Sequence, residues 1–219
     1  MRLRVSKSDV IAISGGVLGL FVAATCWAGE TRQQAAASYL ELGDKFAHQG
    51  DYLRAIGAYN LALQFSSDFA PALLHRGFAY EARGDCAKAI ADYTSALEII
   101  PSLTNALYNR GNLRFQAGDV NAALADFDSA LQTNPQYVMA YNNRGIARVA
   151  KGDLAGAMAD FNEAIKLDPR NAEAYVNRGL LHLQEGMKAD ADHDFARSIK
   201  VKPSLKSFIQ NRIRLITQN

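Results

Sequence analysis

Residues 138–171 read VMAYNNRGIARVAKGDLAGAMADFNEAIKLDPRN. Tyr141, Gly145 and Ala150 fall at helical spacing, Gly152-Asp153 follows, and Ala157, Phe161 and Ala164 resume the same spacing before Pro169. Apolar and small residues three and four apart form one face of a helix. Glycine then aspartate stops one helix and caps the start of the next. Proline marks where the second helix cannot continue. The stretch therefore predicts helix, tight turn, helix.

The pattern recurs every 34 residues without an insertion, giving units 36–69, 70–103, 104–137, 138–171 and 172–205. Glycine holds one column at Gly43, Gly77, Gly111, Gly145 and Gly179, and a second at Gly50, Gly84, Gly118, Gly152 and Gly186. Alanine recurs at Ala55, Ala89, Ala123, Ala157 and Ala191, and an aromatic at Tyr59, Tyr93, Phe127, Phe161 and Phe195. Pro101, Pro135, Pro169 and Pro203 close four units; the first has Ser66-Ser67-Asp68 there. In the second unit Cys86, Ala89, Ile90, Tyr93, Ala96 and Leu97 make one helical face. Small residues let the two helices of a unit approach, and the aromatic fills the space beside them. One unit cannot bury its own apolar stripe, so neighbours must stack. A fixed period of this length means a solenoid.

These columns resemble the tetratricopeptide repeat (TPR) family over residues 36–205. The resemblance implies an all-α, right-handed α-solenoid of five helix-turn-helix units. It also implies a concave groove lined by the first helix of each unit. The family's groove places fall here on Phe78 in the second unit and on Tyr108, Asn112 and Phe115 in the third. In the fourth they fall on Met139, Asn142, Ile146 and Val149, and in the fifth on Val176, Leu180 and Leu183. Some relatives clamp a peptide carboxylate with lysines at these places, and this chain has none there. Its lining is apolar with amides beside it (Asn109, Asn143, Asn177), which suits an extended peptide or an amphipathic helix.

Past the repeats, Leu205, Phe208, Ile209, Ile213 and Ile216 fall on one helical face over 206–219, a capping helix for the fifth unit's open edge. The alternative is an interaction helix for another protein.

Two charged columns run through the repeats. Arg76, Arg110, Arg144 and Arg178 each precede the first-helix glycine; Asp92, Asp126, Asp160 and Asp194 each precede the aromatic. The first unit lacks both, with Leu42 and Ala58 in those places. Charges present or absent together predict a ladder of structural ion pairs, within a unit or between units. Read as exposed pairs, each contributes about 0–1 kcal/mol.

The N-terminus begins MRLRVSK, then runs uncharged from Val10 to Ala28, ending Cys26-Trp27-Ala28. A basic start, an apolar stretch and small residues at 26 and 28 predict a signal peptide over 1–28 and a short linker over 29–35. An uncleaved membrane anchor or a lipidated Cys26 are the alternatives, although Ala23-Ala24-Thr25 fits a lipobox poorly. Each places the repeats outside the cytoplasm, with the periplasm expected. Membrane contact is expected only if the segment is kept or lipidated. Without residues 1–28 only Cys86 remains, on the second unit's apolar stripe, where it is expected buried.

Chemistry finds little to stand on. Past residue 28 acidic and basic side chains are equal in number, which argues against a nucleic-acid partner. His48, His75, His182 and His193 form no zinc motif. Asp190, Asp192 and Asp194 lack the glycine and distal glutamate of a calcium loop. The periodic glycines are packing residues, not phosphate cradles. We expect no enzyme and no cofactor, but an exported scaffold whose groove binds a peptide or partner protein. The alternative is an accessory subunit of an envelope enzyme, secretion or cell-wall assembly.

Overall fold

In the computed structural model, described over residues 32–217, the repeats form paired helices throughout. The first unit pairs α1 (Arg32–His48) with α2 (Tyr52–Phe65), and the second pairs α3 (Ala70–Ala82) with α4 (Cys86–Ile99). The third pairs α5 (Thr104–Gln116) with α6 (Val120–Thr133), and the fourth α7 (Val138–Lys151) with α8 (Leu154–Leu167). The fifth pairs α9 (Ala172–Gln184) with α10 (Lys188–Val201). A single 3-10 turn, Pro203–Leu205, leads into α11 (Lys206–Thr217). The chain is an all-α solenoid of TPR-type helix pairs.

The glycine columns do two different jobs. Gly152 ends α7 at φ 83°, a left-handed conformation costly for any residue with a Cβ. Asp153 then caps α8, its carboxylate accepting from the Gly156 amide at 2.9 Å. Gly145 instead faces the aromatic of its own unit: a Cβ there would lie 2.5 Å from Phe161 Cε1. Ring and backbone thus fit because no side chain intervenes. Phe161, Ala157 and Ala164 are sealed from solvent, as are their counterparts along the chain.

Each second helix packs on its own first helix and on the first helix of the next unit. The first helices of neighbouring units also touch, α1 with α3, α5 with α7 and α7 with α9. Their shared face is the groove. α11 lies against α9, with Ile209 only 2% exposed among Val176, Ala191 and Phe195.

Three expectations need correction. α1 begins at Arg32, so the stretch read as a linker over 29–35 is already helical from there. Phe208 is 51% exposed and does not join the buried face of α11. Cys86 is exposed, a free thiol at the first residue of α4. Tyr52 and Val120, at the same place in other units, pack against their clusters; Cys86 does not. The N-terminal segment 1–28 lies outside the described residues. Among those described, no helix is long and apolar enough to cross a membrane.

Candidate functional site: the concave groove

The charged columns are the frame on which the groove is built. Arg76 grips Asp92 with two parallel bonds, Nε to Oδ2 and Nη2 to Oδ1, both 2.7 Å. Arg110 holds Asp126, Arg144 holds Asp160 and Arg178 holds Asp194 with the same fork, at 2.6–3.0 Å. The remaining Nη1 of each arginine reaches back to the second helix of the preceding unit. Its acceptors are Asn60 at 2.6 Å, Thr94 at 3.1 Å, Asp128 at 2.7 Å and Asn162 at 2.7 Å. One guanidinium therefore ties three helices, and the ladder runs both within and between units.

These pairs are not exposed. The four aspartates are 1–6% accessible, so removing one partner strands a charge in a low-dielectric setting. The hydrogen bonds that Arg76 donates to Asp92 push its guanidinium above the ordinary range, and those of Arg178 to Asp194 do the same. Sequence reasoning missed a second basic column in the same register. Arg114 donates to Asp126 and Arg148 to Asp160, each at 2.8 Å. In the fifth unit that place is His182, whose Nδ1 lies 3.2 Å from Asp194 Oδ2 without hydrogen-bond alignment. Laying Arg114, Arg148 and His182 at the 34-residue period would have exposed the column.

The groove face divides into three stretches. At the N-terminal end Asp44 accepts from Tyr59 Oη at 2.8 Å and faces His75 Nδ1 at 2.6 Å. Beside it Phe78, 38% exposed, meets Tyr93 edge-on at 5.8 Å. Tyr93 Oη donates to Glu81 at 2.7 Å. Burial, and then that bond, hold the Tyr93 hydroxyl far above the ordinary tyrosine range.

The middle stretch carries no charged side chain but Glu81. A depression of about 230 Å³ is lined by Glu81 at its edge and by Asn112, Phe115, Gln116, Phe127, Asn143 and Ile146. Tyr108 packs on Phe127 and Tyr137 below it. The amides are laced to one another across three units. Asn143 Nδ2 donates to Asn112 at 2.8 Å and to Tyr108 at 3.1 Å, Asn142 donates to Asn143 at 3.2 Å, and Asn177 donates to Asn142 at 2.8 Å. Part of the amide capacity expected to meet a ligand backbone is thus spent on holding the groove floor. Met139, half exposed, flanks the rim.

At the C-terminal end three of the expected groove residues are already covered. Val176, Leu180 and Leu183 pack beneath Leu205, Ile209 and Ile213. The reason is also a matter of register. Asn211 and Arg212 stand 34 residues after Asn177 and Arg178, so α11 occupies the place of a sixth first helix. Ile213 replaces the column glycine, which hid the match. A second depression, about 270 Å³, opens between α11 and the groove, lined by Ile146, Val149, Leu180, Arg212 and Ile216 among others.

Among the described residues no cluster of His, Cys, Asp and Glu has the geometry of a metal site. Models described as TPR repeat match residues 111–152 and 145–186, and tetratricopeptide-repeat models match 172–205 and 71–100. The chain belongs to the tetratricopeptide repeat family.

Solved structures of similar fold include MamA, at 24% identity over 75% of this chain and 96% of that one, with a TM-score of 0.69. YrrB, described as a TPR protein with an unusual peptide-binding site, is 21% identical over 84% of this chain and 92% of its own, with a TM-score of 0.69. A tetratricopeptide repeat protein from Parabacteroides merdae is 20% identical over 84% of this chain and 74% of its own, with a TM-score of 0.74. At these identities the likeness is one of fold. No curated protein sequence matches the chain.

Proposed function

We propose that the protein is a non-catalytic, exported scaffold that binds a peptide segment or partner protein in the groove of units three and four. The observation that carries the reading is the middle stretch. Tyr108, Asn112, Phe115, Asn142, Ile146 and Val149 are only partly buried, and their amides are held rigid by one another. A floor fixed before binding loses little freedom on association, which favours affinity. Phe115 and Ile146 supply apolar contact at its centre. The peptide-binding site described for YrrB, which shares this fold, supports the same use of it. The basic, then apolar, N-terminal segment supports export, with the periplasm as the expected compartment.

The test is partner capture with Phe115→Ala combined with Ile146→Ala. Both side chains are half-buried on the groove face, so helicity by circular dichroism is expected to stay close to wild type. Binding of partners identified by mass spectrometry from an envelope extract is expected to fall at least about tenfold, the loss of two central apolar anchors. Unchanged capture would contradict the groove. The mature N-terminus, read in the same run, tests export: a chain that still begins at Met1 and is found in the cytoplasm would contradict it.

A further inference from the structure

We infer that the groove selects a segment with two opposite charges around an apolar stretch. A lysine or arginine side chain lies at the Glu81 end and an aspartate or glutamate side chain at the Arg212 end. This rests on the groove reading above and adds the chemistry of the occupant.

Glu81 differs from the other carboxylates of the repeat core. Asp92, Asp126, Asp160 and Asp194 each face an arginine, and Asp44 faces His75. Glu81 accepts from the neutral Tyr93 hydroxyl and, among the described residues, has no cation beside it. No lysine, arginine or histidine lines its depression. A half-buried carboxylate without a counter-charge is complementary to a cation. Phe115 and Ile146 offer the apolar surface along which the methylene stem of a lysine or arginine lies.

Arg212 is the mirror case. Its column predecessors each have an aspartate sixteen residues later and a polar acceptor sixteen residues earlier. For Arg212 the earlier place is Ala196, and no described residue pairs with it. It lines the second depression, where no carboxylate is present. Ile146 and the groove floor join the two depressions, so one segment can cross both. Between the poles the lining is apolar or amide, which disfavours a charge in the middle of the segment.

The experiment is selection of a random dodecapeptide library on the full chain. The expected consensus is a basic residue, an apolar run and an acidic residue. In a selected peptide, replacing the lysine by norleucine should cost about tenfold in affinity on the wild type and little on Glu81→Gln. Replacing the acid by its amide should cost similarly on the wild type and little on Arg212→Gln. Glu81→Gln keeps an acceptor for Tyr93, so folding is preserved. A consensus lacking either charge, or discrimination unchanged in these variants, overturns the inference. Peptides that need Phe115 and Ile146 but ignore charge overturn it and leave the groove reading standing. A library from which nothing is enriched overturns both.

Discussion

In the first two units the column aromatic is a tyrosine whose hydroxyl reaches a groove carboxylate, Tyr59 to Asp44 and Tyr93 to Glu81. In the last three it is a phenylalanine; the place of Asp44 then holds Asn112, Ile146 and Leu180, and the place of Glu81 holds Phe115, Val149 and Leu183. The packing beneath is the same. A Cβ at Gly77 would lie 2.5 Å from Tyr93 Cε1, the same distance as at Gly145 from Phe161. One oxygen at the ring tip therefore goes with an acid in the groove above it. The buried charges show the opposite trend: the first unit has none, the second has one arginine on its aspartate, and the third and fourth have two. Groove chemistry and frame chemistry thus both change from unit to unit on one backbone plan.

The largest expected break in this comparison is in the frame. Asp160→Ala leaves Arg144 and Arg148 without their shared partner and should cost about 3–5 kcal/mol in urea unfolding. Asp44→Asn in the first unit keeps an acceptor for Tyr59 and should cost about 1 kcal/mol. Equal losses would mean that burial does not distinguish the two ends. Next come Gly77→Ala and Gly145→Ala, each expected to cost about 1–3 kcal/mol through overpacking against the ring. Similar thermal shifts sharpen the claim of shared packing; a neutral result at either would break the register.

The smallest effect is the ring oxygen itself. Tyr93→Phe should lose about 1 kcal/mol at neutral pH. Its pH profile is more telling. Tyr93 titrates higher folded than unfolded, because of burial first and the Glu81 bond second. Tyr59 does likewise, through burial and Asp44. Stability from a raised value is present below the unfolded tyrosine range and is lost as pH rises above about 10. The double variant Tyr59→Phe, Tyr93→Phe should flatten that alkaline decline. An unaltered decline would assign it to other groups.

The fold was legible because the residues that specify it are spent on backbone geometry: a glycine at the turn, a glycine under the ring, an alanine, an aromatic. Each acts within its own unit, so spacing alone reveals it. The arginine–aspartate pairing was legible for the same reason, since its partners sit sixteen residues apart in each of the last four units. What was missed depends on reach or on departures from the column. Arg114 and Arg148 grip their aspartates from a place that holds tyrosine in the second unit and histidine in the fifth. α11 covers Val176, Leu180 and Leu183, yet Ile213 in the glycine place hid its register. Cys86 lies on the apolar stripe by sequence but stands exposed at the first residue of α4. The groove amides bond across units, Asn143 to Asn112 and Asn177 to Asn142, contacts that no single repeat discloses.

The most direct test of the central claim is site-specific photocrosslinking in the intact cell. A benzoyl-phenylalanine placed at Phe115 is compared with one at Leu53, an exposed residue on a second helix. The groove account predicts a discrete protein adduct from position 115, lost in the Ile146→Ala background, and none from position 53. Equal adducts from both positions, or none from 115, would contradict it.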